Sequence, residues 1–265
     1  MKTKIPNLIL LFSVAVLICG CGVKKTKSSG LPADEYDVYL LIGQSNMAGR
    51  GTMIPADTAV IEGVFLLDSL GNIIPARNPL NLHSSVRKSV REQQIGPAFI
   101  FSKTMHEKTG RNILLVVNAK GGTGLNSWLK GASQGYYSEA VRRAKQAQEY
   151  GEIKAILWHQ GENNSANPDD YLVKLKGMVS DLRQDLGLTA EDVPFIAGEI
   201  APWHRNREIF NPVIHQVSDS IPNASWVSSE GAGMLRGESD PHFSRDGQLL
   251  MGKRYAEKVL EMTGR

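Results

Sequence analysis

Short apolar segments that alternate with longer helical segments constrain the fold of this chain more than any other feature. The segments ILLVV at 113–117 and AILW at 155–158 are apolar on both faces. Strands of this kind are typical of a parallel sheet that helices cover on both sides. The alternation therefore predicts an α/β fold. Predicted strands are 37–42, 63–68, 112–118, 153–159, 193–199 and 224–228, and predicted helices are 97–108, 137–150, 169–186, 206–220 and 244–261.

The helix with the clearest sequence signals follows Asn167. Asn167 is expected to cap it, and Pro168 suits its first turn. Asp169 and Asp170 favour the positive end of the helix dipole. Apolar residues then recur at helical spacing as far as Leu186. These signals predict a helix that begins at about residue 169 and packs one face against the sheet.

Polar and glycine-rich segments follow four of the predicted strands. They are GQSN at 43–46, AKGGTG at 119–124, HQGE at 159–162 and APW at 201–203. A parallel sheet binds its ligand at the carboxyl ends of its strands. The sequence therefore predicts a functional site where these loops meet.

Ser45 lies where an apolar strand turns abruptly into GQSN, which is a position for a nucleophile in an α/β fold. A serine hydroxyl is a poor nucleophile unless a base removes its proton. Gly-x-Ser by itself is also compatible with an ordinary turn. Met47 replaces the second glycine of the Gly-x-Ser-x-Gly elbow, and this argues against the α/β-hydrolase fold.

His242 is the histidine best placed to act as a base. It lies just before the last predicted helix, and Asp240 precedes it by two residues. A carboxylate beside a histidine can orient the imidazole and stabilise its charged form. Asp240 is also a common kind of turn residue before a proline. The residues alone are compatible with both roles.

Two other loops carry groups that acyl transfer uses. The glycines of GGTG at 121–124 leave backbone amides unobstructed, so they can bind an oxyanion or a phosphate, or bind nothing. Gln160 offers an amide donor and Glu162 a carboxylate, and a helix or turn cap is the alternative role for each. The loop lacks the Gly-Lys-Ser/Thr ending of a Walker motif. No His-x-His or Glu-x-x-His pair is present, so a metal site is less well supported than acyl transfer.

The N-terminus has the anatomy of a secretory signal peptide. Lys2 and Lys4 precede an uncharged apolar run at 8–20, which is too short for a comfortable transmembrane helix. ICGC at 18–21 resembles a bacterial lipobox, with an ordinary cleaved signal as the alternative. We therefore expect a lipoprotein-type signal peptide at 1–20, a lipidated Cys21, a flexible tether at 21–35 and a folded domain at 36–265.

This leader predicts an exported lipoprotein in the periplasm or at the cell surface, which contacts the membrane only through its lipid anchor. Both cysteines lie in the leader, so the predicted domain has no disulfide and no thiol nucleophile. The net charge of +3 comes from scattered basic residues, and nucleic acid is therefore not an expected partner. The sequence does not specify an oligomeric state.

The motifs GQSNMAG, NAKGGTGLNSW, WHQGEN and DPHFS, in that order, resemble the SGNH hydrolase superfamily. Within it the chain is similar to the sialate O-acetylesterase-like domain, which includes the acetylxylan esterases of carbohydrate esterase family 6. The resemblance extends from about Tyr36 to the C-terminus. It implies a flavodoxin-like three-layer α/β/α sandwich with a parallel central sheet, and a serine esterase that needs no cofactor.

The same resemblance implies roles for individual residues. Ser45 would be the nucleophile and His242 the general base, while the Ser45 and Gly122 amides and the Gln160 side chain would hold the oxyanion. The superfamily's usual aspartate position, three residues before the histidine, is Ser239 here. We therefore expect Glu162 to be the principal triad acid, with Asp240 in support.

The substrate is expected to be an acetylated oligo- or polysaccharide. Trp128 and Trp203 adjoin these loops and are candidates for stacking on a sugar ring, although packing explains each equally well. Arg50 and Arg91 are candidate contacts for a carboxylated sugar, with a surface role as the alternative. The compact length favours an acetylxylan esterase over a sialate O-acetylesterase.

Two other functions fit the same motifs less well. A lipid or thioester acyl hydrolase would need an apolar groove, and the loop NSWLKGASQG at 126–135 is polar. A non-catalytic glycan-binding lipoprotein would not need the nucleophile, the base and the acid together.

Overall fold

The structure is a computed structural model that describes Met1 and residues 35–265. The expected signal peptide, Cys21 and almost all of the expected tether lie outside the described residues. Within the part of the chain that is described, no helix is long and apolar enough to cross a membrane.

A mixed sheet of seven strands forms the middle layer, in the order β3-β2-β4-β1-β5-β6-β7. All neighbours pair in parallel except the edge strand β3, which is antiparallel to β2. This pairing confirms the parallel core of the sheet that the apolar runs predict. The antiparallel strand β3, with three residues, is too short to predict from the sequence. The strands are β1 (Tyr36–Gly43), β2 (Val64–Leu67), β3 (Ile73–Pro75), β4 (Asn112–Ala119), β5 (Gly151–His159), β6 (Phe195–Gly198) and β7 (Ala224–Val227).

Helices cover both faces of this sheet, as the β1 side chains illustrate. Val38 and Leu40 enter one apolar core together with α3, α4 and α5 side chains, whereas Tyr39 and Leu41 enter a second core with α2 and α7. The predicted three-layer α/β/α sandwich is thus confirmed. The helices are α1 (Ser45–Ala48), α2 (Ala98–Thr109), α3 (Tyr136–Ala147), α4 (Tyr171–Leu186), α5 (Arg207–His215), α6 (Val217–Ser220) and α7 (Arg245–Thr263).

All predicted helices are present with shifted bounds, and local contacts explain two of these differences. Helix α4 begins at Tyr171 rather than at 169, because the preceding residues form a turn in which the Tyr171 N–H donates to Pro168 O. The helix predicted at 206–220 divides into α5 and α6 at Gln216. There the carbonyl of Pro212, which a continuous helix would pair with the Gln216 N–H, accepts from the Gln216 side chain instead.

The central position of β1 brings the polar loops together. Gly43, its last residue, is in register with Ala119 of β4 on one side and with His159 of β5 on the other. Gly43 has a φ of 136°, and a Cβ there would lie 2.2 Å from His159 O. Only glycine permits this approach, and the chain then turns directly into α1, which starts at Ser45.

A buried ion pair joins the loop after α1 to the start of α7. Both oxygens of Asp57 accept from Arg245, at 2.8 and 2.7 Å, and Asp57 is only 2% exposed. These hydrogen bonds hold the pKa of Asp57 below its usual value. The pair fixes the backbone three residues beyond His242.

We expect Asp57→Asn to lower the free energy of unfolding at pH 7 by about 1–3 kcal/mol, because Arg245 loses a charged partner. The Asp57 contribution is present above the ordinary carboxyl pKa of 3.8 and is lost as the pH falls through the lower folded value. The penalty measured by urea denaturation should therefore shrink at strongly acidic pH. The exposed pair Lys103–Glu107 supplies the control Glu107→Gln, which should change stability by less than about 0.5 kcal/mol. A pH-independent penalty for Asp57→Asn would contradict the ion-pair explanation.

Candidate active site

Loops from several strand ends converge on one cavity of about 290 Å³. It contains Ser45 after β1, Gly122 after β4, Glu162 after β5 and His242 before α7. The structure thus brings together the nucleophile, one amide donor, a carboxylate and the base that the sequence singled out. The lining residues are Gln44, Ser45, Arg50, Lys88, Glu92, Gly121, Gly122, Glu162, Asn163, His204, Pro241 and His242.

Ser45 is the first residue of α1 and is almost fully buried in the cavity wall. Its backbone N–H has no partner within the helix, as is general at the first helical position. The Gly122 N–H likewise makes no hydrogen bond to a described residue, and the residue adopts a φ of 74° that favours glycine. Two backbone amides in this wall are therefore available to an anionic oxygen.

His242 is held by Asp240. His242 Nδ1 lies 2.5 Å from Asp240 Oδ1, which also accepts from the His242 backbone N–H at 3.1 Å. This contact places the proton on Nδ1 and leaves the Nε2 lone pair available for accepting a proton. Burial lowers the pKa of His242; Asp240 opposes this shift and the Arg50 charge adds to it. The imidazole is therefore neutral at neutral pH, which is the state that a general base needs.

Glu162 does not occupy the expected place beside the histidine. Its Oε1 accepts from Asn46 Nδ2 at 2.6 Å and lies 3.9 Å from His159 Nε2, and no described contact joins it to His242. The expectation that Glu162 is the principal partner of His242 is therefore corrected in favour of Asp240. The turn through Pro241 folds the Asp240 carboxylate back onto the ring, so a spacing of two residues is sufficient.

The Glu162 carboxyl is buried, and burial disfavours its charged form. Burial raises its pKa to about 6, and the hydrogen bond from Asn46 only partly opposes this effect. Its Oε2 is buried and has no partner among the described residues. His159 supplies no compensating charge, because burial lowers the pKa of that imidazole to about 3.

The Gln160 side chain does not reach the cavity, where it was expected to bind the oxyanion. It is fully buried and is absent from the cavity wall. Its Nε2 donates to Gln44 Oε1 at 3.0 Å, to Thr123 O at 3.1 Å and to Asn164 Oδ1 at 2.8 Å. The expected role of Gln160 as a direct oxyanion donor is therefore corrected: its amide hydrogens face protein acceptors.

Of the four residues expected to contact the sugar, only Arg50 lines the first cavity. Trp128 is fully buried, donates to Thr123 Oγ1 and packs edge-on against Trp158, so it cannot stack on a sugar. Trp203 is partly buried, and its Nε1 donates to Asp240 O at 2.8 Å. The structure therefore corrects the Trp128 expectation and places Trp203 as a support for the Asp240 loop.

A second cavity of about 570 Å³ adjoins the first and shares Arg50, Glu92 and His242 with it. Arg91 and Arg236 complete its basic lining. Arg50 Nη2 pairs with Glu92 Oε2 at 3.2 Å. The only carboxylate in this lining is thus already paired with a guanidinium.

Asn46 is a central residue that the sequence analysis did not single out. It is fully buried, and its Nδ2 donates to Glu162 Oε1 and, at 3.0 Å, to Pro241 O. Its Oδ1 accepts from the Phe243 N–H at 3.2 Å. One amide thus ties the nucleophile helix to both neighbours of His242. Its only sequence signal is its position directly after Ser45.

Other residues of the cavity carried less signal. His204 lies directly after Trp203, and no partner motif in the sequence indicates a functional role for it. Lys88, Glu92 and Arg236 lie in loops without a motif, and no sequence pattern indicates them. Within the described chain, no group of three or more histidine, cysteine, aspartate or glutamate residues has the arrangement of a metal site.

Comparison with known proteins agrees with this architecture. A probable carbohydrate esterase of Arabidopsis thaliana is 29% identical over 250 residues, which cover 86% of this chain and 92% of that protein. The solved structure of an Arabidopsis thaliana protein has a TM-score of 0.75 at 24% identity, covering 86% of this chain and 98% of its own. The structure of NanS has a TM-score of 0.66 at 19% identity, covering 86% and 97%.

The fold is that of the SGNH-type esterases, with the site at the carboxyl ends of the strands. The family model described as carbohydrate esterase, sialic acid-specific acetylesterase, matches residues 35–261. The chain belongs to this family, and the resemblance inferred from its motifs is confirmed. The protein is a carbohydrate acetylesterase, a carboxylic ester hydrolase.

Separate amide substitutions of Asp240 and Glu162 distinguish the roles of the two carboxylates. We expect Asp240→Asn to lower kcat by about 10³–10⁴-fold, because the amide would favour the wrong imidazole tautomer and would not stabilise its charged form. Glu162→Gln should lower kcat by less than about tenfold, since the amide oxygen still accepts from Asn46. Hydrolysis of p-nitrophenyl acetate measures both. A larger loss in Glu162→Gln than in Asp240→Asn would return the triad role to Glu162.

The raised pKa of Glu162 predicts a pH-dependent stability. The folded pKa of about 6 exceeds the ordinary value of 4.5, so the folded state loses stability as the pH rises between these values, and the loss persists above them. The free energy of unfolding of Glu162→Gln, relative to wild type, should increase by about 2 kcal/mol from pH 4 to pH 7. The exposed Glu257→Gln in α7 is the control and should show no such trend. A difference that does not vary with pH would contradict the burial effect.

Proposed function

We propose that the protein removes acetyl groups from a sugar that carries a carboxylate, through an acyl-enzyme on Ser45. The observation that carries this proposal is the basic cavity beside His242. The reaction needs groups that line the two cavities, together with Asp240, which contacts His242.

The chemistry follows from the positions of Ser45 and His242. His242 Nε2 takes the proton of the Ser45 hydroxyl as Oγ attacks the acetyl carbonyl, and the charge on the imidazole is stabilised by Asp240. The oxyanion accepts hydrogen bonds from the Ser45 and Gly122 N–H groups. The C–O bond to the sugar then breaks, and the sugar oxygen takes the proton from His242. Water, deprotonated by His242, attacks the acetyl-enzyme and releases acetate.

The size and lining of the first cavity favour a small acyl group. Apart from its glycines, Pro241 is the only apolar residue in its wall. A long acyl chain would need an extended apolar groove. The cavity therefore supports acetyl ester hydrolysis better than the alternative of a lipid or thioester acyl hydrolase.

The second cavity supports an acidic sugar as the alcohol. Arg91 has no hydrogen bond or ion pair to a described residue, and Arg236 approaches Asp240 Oδ2 only at 3.8 Å with most of its side chain exposed. A guanidinium binds a carboxylate through two parallel hydrogen bonds. A sialic or uronic acid would satisfy these groups, whereas neutral acetylated xylan offers them no charge. The sequence length alone had favoured xylan.

The first experiment tests the reaction itself. Wild type should hydrolyse p-nitrophenyl acetate, and Ser45→Ala should reduce the rate to background, because no other described group is placed to form the acyl-enzyme. An inactive wild type would overturn the proposal, and equal rates in the two proteins would overturn the assignment of Ser45.

The second experiment tests the sugar. We expect Arg91→Gln with Arg236→Gln to raise KM for O-acetylated sialic acid by about 10–100-fold, through the loss of charge-assisted hydrogen bonds. KM for p-nitrophenyl acetate should stay within about twofold, since this ester has no carboxylate. Lys253→Gln removes an exposed charge in α7 and is the matched control. A wild type that prefers acetylated xylo-oligosaccharides, with a KM insensitive to both arginines, would contradict the acidic-sugar proposal.

A further inference from the structure

We propose that the side-chain amide of Gln44 is a third oxyanion donor, and that buried hydrogen bonds from the core aim it at the cavity. The inference rests on the acyl-enzyme reaction proposed above. It assigns to Gln44 the role that Gln160 was expected to have, and it makes Gln160 and Tyr171 positioning residues.

Gln44 lies in the cavity wall directly before Ser45, and the residue is only 3% exposed. Its Oε1 accepts from Gln160 Nε2 at 3.0 Å. Its Nε2 has no hydrogen-bond partner among the described residues. Because Gln44 lines the cavity, this N–H donor is available to the oxygen of a bound ligand. The position beside the nucleophile indicates that the acceptor is the substrate carbonyl oxygen.

The orientation of the Gln44 amide follows from the polarity of its neighbours. The chain of contacts starts at Trp158, whose indole N–H can only donate, and it does so to Tyr171 Oη at 2.9 Å. The Tyr171 hydroxyl proton must then be donated onward. Its two partners are Gln160 Oε1 and Gln160 O, both at 2.9 Å and both acceptors. The single Tyr171 proton can go to only one of them, so Tyr171 contacts the oxygen end of the Gln160 amide without by itself fixing the orientation of that amide.

The nitrogen end of Gln160 is identified by the acceptors around it. Gln160 Nε2 lies 3.1 Å from Thr123 O and 2.8 Å from Asn164 Oδ1, and both are acceptors because Asn164 Oδ1 also accepts from the Leu125 N–H. The two hydrogens of Nε2 are shared among these oxygens and Gln44 Oε1. The amide of Gln160 thus presents an N–H, and not an oxygen, to Gln44. Gln44 must meet this N–H with its own oxygen, and its Nε2 is consequently the end that faces the cavity.

Three neutral donors would then surround the oxyanion: the N–H groups of Ser45 and Gly122, and Nε2–H of Gln44. All lie at the ends of β1 and β4, on a rigid sheet. Donors that are fixed before the reaction stabilise charge that develops in the transition state, and they stabilise the neutral ester much less. The signature of Gln44 is therefore a loss of kcat with little change of KM.

The central test compares Gln44→Glu and Gln44→Met with wild type on p-nitrophenyl acetate. The glutamate keeps an acceptor for Gln160 but loses the donor, and the methionine loses the donor without adding charge. We expect each to lower kcat by about 10²–10³-fold and to change KM by less than about threefold. Thermal unfolding of each variant checks that the fold is retained. The rate at which a fluorophosphonate modifies Ser45 should fall in parallel.

The variant Tyr171→Phe tests the proposed positioning role of Tyr171. Tyr171→Phe removes the hydroxyl that contacts Gln160 Oε1, so the buried oxygen end of Gln160 loses a partner and its nitrogen end is held less firmly against Gln44. We expect kcat to fall by about tenfold at unchanged KM, less than for Gln44 itself. Tyr137→Phe is the matched control, because the Tyr137 hydroxyl donates to Asp185 at 2.7 Å on another part of the fold. Equal kcat values for Tyr171→Phe and Tyr137→Phe would overturn the proposed relay.

These outcomes separate the inference from the function on which it rests. A wild type without esterase activity, or an active Ser45→Ala, would overturn the proposed function. An active wild type, an inactive Ser45→Ala and a Gln44→Met that retains kcat within about threefold would overturn the assignment of Gln44. If Gln160→Met then loses kcat while Gln44→Met does not, the donor is Gln160.

Discussion

The pairing of β1 between β4 and β5 is the constraint on which the rest of the site depends. Gly43 is in register with both Ala119 and His159, so three loops begin at the same level of the sheet. The absence of a side chain at Gly43 allows β1 and β5 to approach closely. The Gln44 N–H then donates to His159 O at 2.8 Å, which fixes the turn into α1. Every group proposed to act in the reaction is positioned relative to this turn, directly or through Asn46.

Asn46 connects the turn after β1 to the loop that carries the base, His242. His242 lies in a loop far from Ser45 in sequence, and no strand holds it. The Asn46 amide contacts the loop on both sides of His242, at Pro241 O and at the Phe243 N–H. Behind the loop, Trp203 Nε1 supports Asp240 O, and the Asp57–Arg245 pair fixes the first residue of α7. The base is thus held by side-chain contacts and by a backbone hydrogen bond from the Leu235 N–H to His242 O, whereas the nucleophile and the Gly122 amide follow strands of the sheet.

The sequence predicted which loops meet, but not how their side chains are directed. Apolar runs such as that of β4 identify parallel strands, and parallel strands bring their following loops to one edge. Ser45, Gly122 and His242 were therefore found from position and residue type. Asp240 and Glu162 both lie at this edge. The Asn46 amide donates to Glu162, and Asp240 is the carboxylate that contacts His242. This arrangement depends on three-dimensional contacts between residues more than 100 positions apart.

The orientation of an amide side chain is the part of this site that sterics cannot determine, since its two ends have nearly the same shape. In this fold the oxygens of Thr123 and Asn164 determine it, because both can only accept at the nitrogen end of Gln160. Through Tyr171, the indole of Trp158 connects this amide to the core that includes Trp128 and α4. Each member of the chain of contacts is buried, so water cannot substitute for a missing partner. Buried hydrogen bonds thus connect the core residue Trp158, through Tyr171 and Gln160, to the proposed oxyanion donor Gln44. Gln160 can therefore contribute to ester hydrolysis without itself contacting the ester.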